Sequence, residues 1–132
     1  MNSSALVDTS ALVEYFGGRV SPEGDLLRLF FDEGPPPATA PIIVQEFLQG
    51  FSRPSDVARA RDYLQRFRQL PAPEYAVHER AAALHRELRK KGLTAGTADA
   101  LIVAIAEAAA VPVLTADALQ VRLCREAGVP AL

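Results

Sequence analysis

Short apolar runs alternate with longer stretches in which apolar residues recur every three or four positions, and each change of period marks an element. Ser4 to Val7 reads as a short buried strand, followed by a helical turn or two over Ala11 to Phe16 that Gly17-Gly18 closes. Ser21-Pro22 supplies an N-cap and a first-turn proline for a helix through about Asp32. The prolines of "EGPPPA" stop it. A short strand near Ala38 to Ala40 follows, then a helix over "PIIVQEFLQGF" that ends near Gly50. From Pro54 to Leu70 the residues Val57, Ala60, Tyr63, Leu64 and Phe67 fall at helical spacing, and "LPAPEYA" reads as a turn or short edge segment. "VHERAAALHRELRKKG" is a helix with Gly92 as its C′ residue, and "TADALIVAIAEAAA" a second with Thr97 as N-cap. "VPVLT" predicts a buried strand, "DALQVRLCREAG" a last helix and "VPAL" a last short strand. Repeated strand–helix–strand alternation implies a mainly parallel sheet covered by helices on both faces. In such sheets ligands bind beyond the carboxyl ends of the strands.

Four acids sit badly in this pattern. Asp8 directly follows the first strand, and Asp117 follows "PVLTA". If those strands are parallel neighbours, both carboxylates reach the same sheet edge. Each alone is equally well read as the cap of the next helix. Glu46 interrupts the apolar stripe of Ile42, Ile43 and Gly50, where a solvated acid does not belong. Asp99 shares a face with Ile102 and Ala106 on a helix apolar enough to be buried, although a first-turn acid also suits the helix dipole. Four such carboxylates can share a site only if cations neutralise them, and an all-oxygen donor set suits Mg²⁺ or Mn²⁺. His78 and His85 do not argue for zinc. Seven residues apart on one helix, they are separated by about 10 Å along its axis.

Composition narrows the classes. With 132 residues the chain is read as one domain, 1–132, and 49% hydrophobic residues suffice for a core. "ALIVAIAEAAAVPVL" is broken by Glu107 and Pro112, short of the ~20 residues of a membrane span. The start "MNSSALVDTS" lacks a signal-peptide layout, so the expected location is cytoplasmic, with no membrane association. One cysteine, Cys124, excludes an intramolecular disulfide framework and reads as core. Net charge is −2, but twelve of the fourteen basic residues are arginine and many lie in the central helices. Those arginines are either a solvated surface or a phosphate-binding one. There is no GxxxxGK[ST], no GxGxxG and no nucleophile elbow.

"LVDTSAL", "PIIVQEFLQG", "GTADALIVAIA" and "VPVLTAD", in this order and spanning essentially the whole chain, resemble the PIN-domain family, and within it the small VapC-type toxins. The resemblance implies a three-layer α/β/α sandwich and an Mg²⁺- or Mn²⁺-dependent endoribonuclease. It also implies a homodimer held in check by a cognate VapB-type antitoxin. Asp8, Glu46, Asp99 and Asp117 match the family's catalytic, metal-binding acids. Ser10 and Thr115 match hydroxyl positions beside the first and fourth acids, and they read equally well as cap or turn residues. Many relatives carry a further acid and a phenylalanine where this chain has Leu119 and Gln120, which bears on a second metal more than on a first.

The expected chemistry is RNA hydrolysis by metal-activated water, leaving a 5′-phosphate and a 3′-OH. Two rivals belong to other readings of the same acids: a PIN-like module that binds RNA or protein without cutting, and a structure-specific DNA nuclease. A phosphoacceptor receiver domain is disfavoured, since the only lysines are Lys90 and Lys91 and the acids fall on the wrong elements. "LLRLFFDEG" has apolar residues on more than one helical face, as expected either of a partner interface or of a helix wedged into the core.

Overall fold

The computed structural model describes residues 3–18 and 20–132. Met1 and Asn2, part of the start read above for a leader, and Arg19 lie outside the described residues. Strand β1 (Leu6–Val7) leads into α1 (Thr9–Phe16) and α2 (Pro22–Glu33), and β2 (Ala38–Thr39) into α3 (Pro41–Gln49) and α4 (Pro54–Leu64). After β3 (Arg68–Gln69) come α5 (Tyr75–Lys90) and α6 (Thr97–Ala109), then β4 (Val113–Leu114) and α7 (Ala118–Ala127).

The sheet order is β3-β2-β1-β4, and every pairing is parallel. Leu6 faces Ala38 on one side and Val113 on the other, so β1 is central. Ala5, Leu6 and Val7 are fully buried, as a strand covered on both faces requires. Successive units run from β1 outward to β2 and β3, and the chain then returns to place β4 against the other side of β1. With right-handed crossovers, that reversal sends α1–α4 to one face and α5–α6 to the other. The helix contacts agree: α1 packs on α2 and α3, and α3 on α4, while α5, α6 and α7 pack on one another. The expected three-layer sandwich is therefore the fold.

Aromatic rings hold the first layer together, with Phe16 5.5 Å from Phe47, Tyr63 5.3 Å from Phe67 and Phe31 5.1 Å from Phe67. Leu84, Leu88, Ile102 and Leu123 fill the second. The apolar residues of α2 are largely absorbed by this core. Leu27 is buried, and Leu26, Phe30 and Phe31 are half-buried against it, which leaves Leu29 exposed. The wedged helix accounts for most of "LLRLFF".

Three sequence expectations need correction. The helical spacing from Pro54 to Leu70 overruns: α4 ends at Leu64, and Arg68–Gln69 is an exposed edge strand paired with β2. Two polar edge residues carry no period-2 signal, and Phe67 is buried from a turn at a position that mimics the helical stripe. Thr97 is the first residue of α6, and the cap is Gly96. "VPAL" forms only a bridge between Val113 and Ala131, made by Val113 N donating to Pro130 O (2.9 Å) and Leu132 N donating to Val113 O (2.8 Å). Among the described residues no helix is long and apolar enough to cross a membrane.

Candidate active site

The reversal in strand order opens a crevice between the carboxyl ends of β1 and β4, and both strands end there in an acid. The register Val7↔Leu114 and the hydrogen bond from Asp8 N to Leu114 O (2.9 Å) set Asp8 beside the residues that follow β4. Asp8 and Asp117 do cap helices. Asp8 Oδ1 accepts from Thr9 N, and Asp117 Oδ1 accepts from Leu119 N, each at 2.9 Å. Capping and clustering turn out to be compatible, because each cap uses one oxygen.

The second oxygen of Asp8 is held by side chains from the start of α1 and from the residue after β4. Thr115 Oγ1 donates to Oδ2 at 2.8 Å and Ser10 Oγ at 2.9 Å, while the two hydroxyl oxygens lie 3.1 Å apart. Each hydroxyl also accepts from the loop after β4: Ser10 Oγ from Ala116 N and Thr115 Oγ1 from Asp117 N, both at 3.0 Å. Thr115 thus orients Asp8 with its proton and the Asp117 backbone with its lone pair. Asp8 and Thr115 are each only 3% exposed.

The other two acids arrive on helices. Glu46 projects from α3, and its Oε1 accepts from Thr9 Oγ1 at 2.9 Å, which ties it to the start of α1. Asp99 lies in the first turn of α6 and accepts a backbone hydrogen bond from Gly96. A Cβ on Gly96 would stand 3.0 Å from Asp99 Oδ2, so a larger residue there would push this carboxylate aside by a few tenths of an ångström.

The electrostatics show that the four acids share one field. Burial raises the Asp99 carboxyl above its ordinary value, and the charges of Asp8, Glu46 and Asp117 raise it further. No lysine or arginine of the described residues is among the groups that shift it. Asp8 is also raised, chiefly by burial, against the opposing pull of its hydrogen bonds to Thr115, Ser10 and Thr9. Such a site favours a positive ligand. Among the described residues no three His, Cys, Asp or Glu side chains already surround a single point. The donor chemistry nonetheless fits a hard divalent cation: carboxylate oxygens only, without an ion pair among the described residues, and with Glu46, Asp99 and Asp117 only partly buried. Gathering them round one ion requires side-chain rotation.

The PIN domain model matches residues 5–126. The chain belongs to the PIN domain family. No curated protein matches it by sequence. Among solved structures it is similar to a toxin–antitoxin complex from Klebsiella pneumoniae, at 26% identity and a TM-score of 0.74 over 98% of this chain and 96% of that one. A DNA-bound VapBC from Salmonella typhimurium has the same fold at 17% identity, with a TM-score of 0.79 over 100% and 98% of the two chains. VapC20 of Mycobacterium tuberculosis, a sarcin-ricin-loop-cleaving toxin, shares it at 19% identity with a TM-score of 0.66 over 96% of each chain.

Three residues of this PIN domain site escaped the sequence reading: Thr9, Gly96 and Gln120. Gln120 is 1% exposed, and its Nε2 donates to the Asp99 backbone oxygen at 3.1 Å. Its signal was legible, since a polar residue stands on the apolar stripe of Leu123, Cys124 and Ala127. Cys124 is fully buried, and burial together with the nearby Asp8 charge pushes its thiol up to about 11, as expected of a core residue. His85 donates from Nε2 to Ala95 O (2.9 Å), which joins α5 to the loop before α6.

The Thr115 bonds give a prediction. Thr115→Val preserves shape but removes the proton that orients Asp8, and loss of such a supporting contact typically costs 10–100-fold in metal affinity or activity. Thr115→Ser is expected to restore most of the loss. The check is kcat/KM for cleavage in the three proteins; full activity in the valine variant would remove Thr115 from the site.

Proposed function

We propose that this PIN domain is a divalent-metal-dependent endoribonuclease and the toxin of a VapBC-type pair, with Asp8, Glu46, Asp99 and Asp117 as its metal-binding, catalytic acids. The observation that carries the reading is the set of four carboxylates at the strand-order reversal, none of them in an ion pair among the described residues, with Asp8 and Asp99 raised by burial and by neighbouring carboxylate charge. The likeness to the Klebsiella toxin–antitoxin complex and to VapC20 supports the toxin and RNA components.

Asp8 is the fixed member, held by three donors, and Thr115 and Ser10 keep its Oδ2 turned toward the crevice between the strands. Glu46 and Asp99 bring carboxylates from α3 and α6, and Asp117 offers an oxygen that its capping bond leaves free. Mg²⁺ or Mn²⁺, when bound, supplies charge neutralisation at the scissile phosphate and an attacking water of lowered pKa. The protein's own part is to hold four negative groups together with none of them ion-paired among the described residues.

The antitoxin component of the reading is supported by apolar side chains left uncovered on one stretch of the chain. Val13 on α1, Val20 in the connection and Leu29 on α2 are 57%, 96% and 47% exposed. A homodimer completes the proposal.

Induced alone in a bacterial host, the protein is expected to arrest growth and to cleave cellular RNA, and a small co-expressed partner should relieve the arrest. Purified protein should cut total RNA in Mg²⁺. Normal growth at high soluble expression, with total RNA left intact in Mg²⁺, would contradict the assignment.

A further inference from the structure

Beside the acid crevice, on the outer side of α6, α5 and α6 enclose an open groove of ≈ 360 Å³. Its walls carry His78, His85, Arg86 and Arg89 from α5, and Thr97 and Leu101 from α6, with alanines between them. The α5 residues lie at helical intervals that form one stripe.

The basic residues of α5 divide into two kinds. Those pointing elsewhere are neutralised within the fold. Arg80 makes a two-pronged pair with Glu107 at 2.9 and 3.1 Å, Lys90 pairs with Glu87 at 3.6 Å, and Lys91 with Glu126 at 2.6 Å. Arg86 and Arg89, three residues apart, are exposed and have no ion pair among the described residues. Like charges side by side on a helix repel one another, and the helix C-terminus favours the cation of Arg89 in the last turn. The lining of the groove is also distinctive in what it lacks. Four other surface cavities each have a carboxylate in the wall, from Glu74, Glu107, Glu126 or Asp62, and this one has none. In a chain of net charge −2, two unpaired guanidiniums and two imidazoles thus line one concave surface.

The position of the groove says what that surface meets. Thr97 in its wall is two residues from Asp99, about 200° round the helix, so the groove and that acid lie on opposite sides of the first turn of α6. A helix with its side chains is about 10–12 Å across, so an RNA strand crossing the acids reaches the groove within a nucleotide or two. The His85–Ala95 bond holds α5 to the loop that leads into α6, which keeps the two sites in register.

We propose that the α5–α6 groove is a binding track for single-stranded RNA flanking the scissile phosphate, with Arg86 and Arg89 each engaging a backbone phosphate. Guanidinium suits the task because its fork of donors matches the phosphate oxygens. The small apolar alanines leave room for sugars and unstacked bases. The inference rests on the endoribonuclease reading, and its test is separable from it because binding is measured without cleavage.

The experiment compares wild type with Arg86→Ala/Arg89→Ala in EDTA, using fluorescence anisotropy of a short fluorescein-labelled single-stranded RNA over a series of salt concentrations. Two lost phosphate contacts should weaken binding about tenfold or more and lower the slope of log affinity against log salt by about 1.4, from ~0.7 per contact for single strands. Arg61→Ala/Arg122→Ala removes the same charge from α4 and α7 and should bind as wild type does. Wild-type affinity and slope in the groove variant would overturn the proposal. Equal losses in the control pair would also overturn it, since they would mean diffuse attraction. A wild type that binds RNA through the groove yet never cuts it would end the endoribonuclease reading and leave the groove standing.

Discussion

Asp99→Asn is expected to yield a folded protein that no longer cuts RNA. The substitution keeps the shape of the side chain and removes one of four negative charges in the site. A loss on the order of 10³-fold in cleavage rate is the scale for deleting a group that stabilises charge in an active site. The effect on stability runs the other way. Asp99 has a folded-state pKa raised above its ordinary 3.8 by burial and by Asp8, Glu46 and Asp117. The folded protein therefore holds that proton more tightly than the unfolded chain does. Stability is lost as pH rises from about that ordinary value through the raised one, and the penalty is complete above it. Without metal, Asp99→Asn should melt at a higher temperature than wild type at neutral pH, and the advantage should shrink toward pH 3.8. Thermal melts in EDTA at both pH values check the sign; an Asp99→Asn protein less stable at neutral pH would contradict the shared-field account. Asp8→Asn should be as inactive but gain less, because Asp8 accepts hydrogen bonds on both oxygens and an amide can accept on only one.

Cleavage is expected to stop in EDTA, to return with Mg²⁺ or Mn²⁺, and to leave a 5′-phosphate and a 3′-OH. Attack by the neighbouring 2′-OH would leave a cyclic phosphate, and it needs an acid–base pair on opposite sides of the scissile bond. The two histidines cannot supply that pair. Both lie on one face of α5, lining the groove beyond α6, and His85 is already bonded to Ala95 O. The acids of the crevice suit an external water instead, because none of them is ion-paired among the described residues and the proposed divalent cation would supply that water. His78→Ala and His85→Ala should therefore leave the product ends unchanged.

Much of the candidate site was legible because its residues break local rules. An acid closing a buried strand, as Asp8 does, or interrupting an apolar stripe, as Glu46 does, has an energetic cost that a sequence displays openly. The parallel order of strands could be read from the alternation of periods, and it correctly brought Asp8 and Asp117 to one edge. Partnerships between distant segments could not be read. Thr9 reaching Glu46, and Thr115 reaching Asp8, are facts of register and packing, and a hydroxyl in a turn looks the same whether or not it serves a site. The edge strand Arg68–Gln69 failed for a similar reason: it exists because β2 offers a free ladder, while its own two residues have no strand pattern. Gln120 shows the opposite case, a visible anomaly compared with relatives only for the residue it lacked and not for the bond it makes.

The four carboxylates are proposed to hold a divalent ion that hydrolyses RNA with an external water. The most direct test is to map both ends of the RNA fragments released by purified protein, with Mg²⁺ and with EDTA, alongside Asp99→Asn. The account predicts 5′-phosphate and 3′-OH ends in Mg²⁺ and no fragments in EDTA or from the variant; fragments ending in 2′,3′-cyclic phosphate that form in EDTA would contradict it.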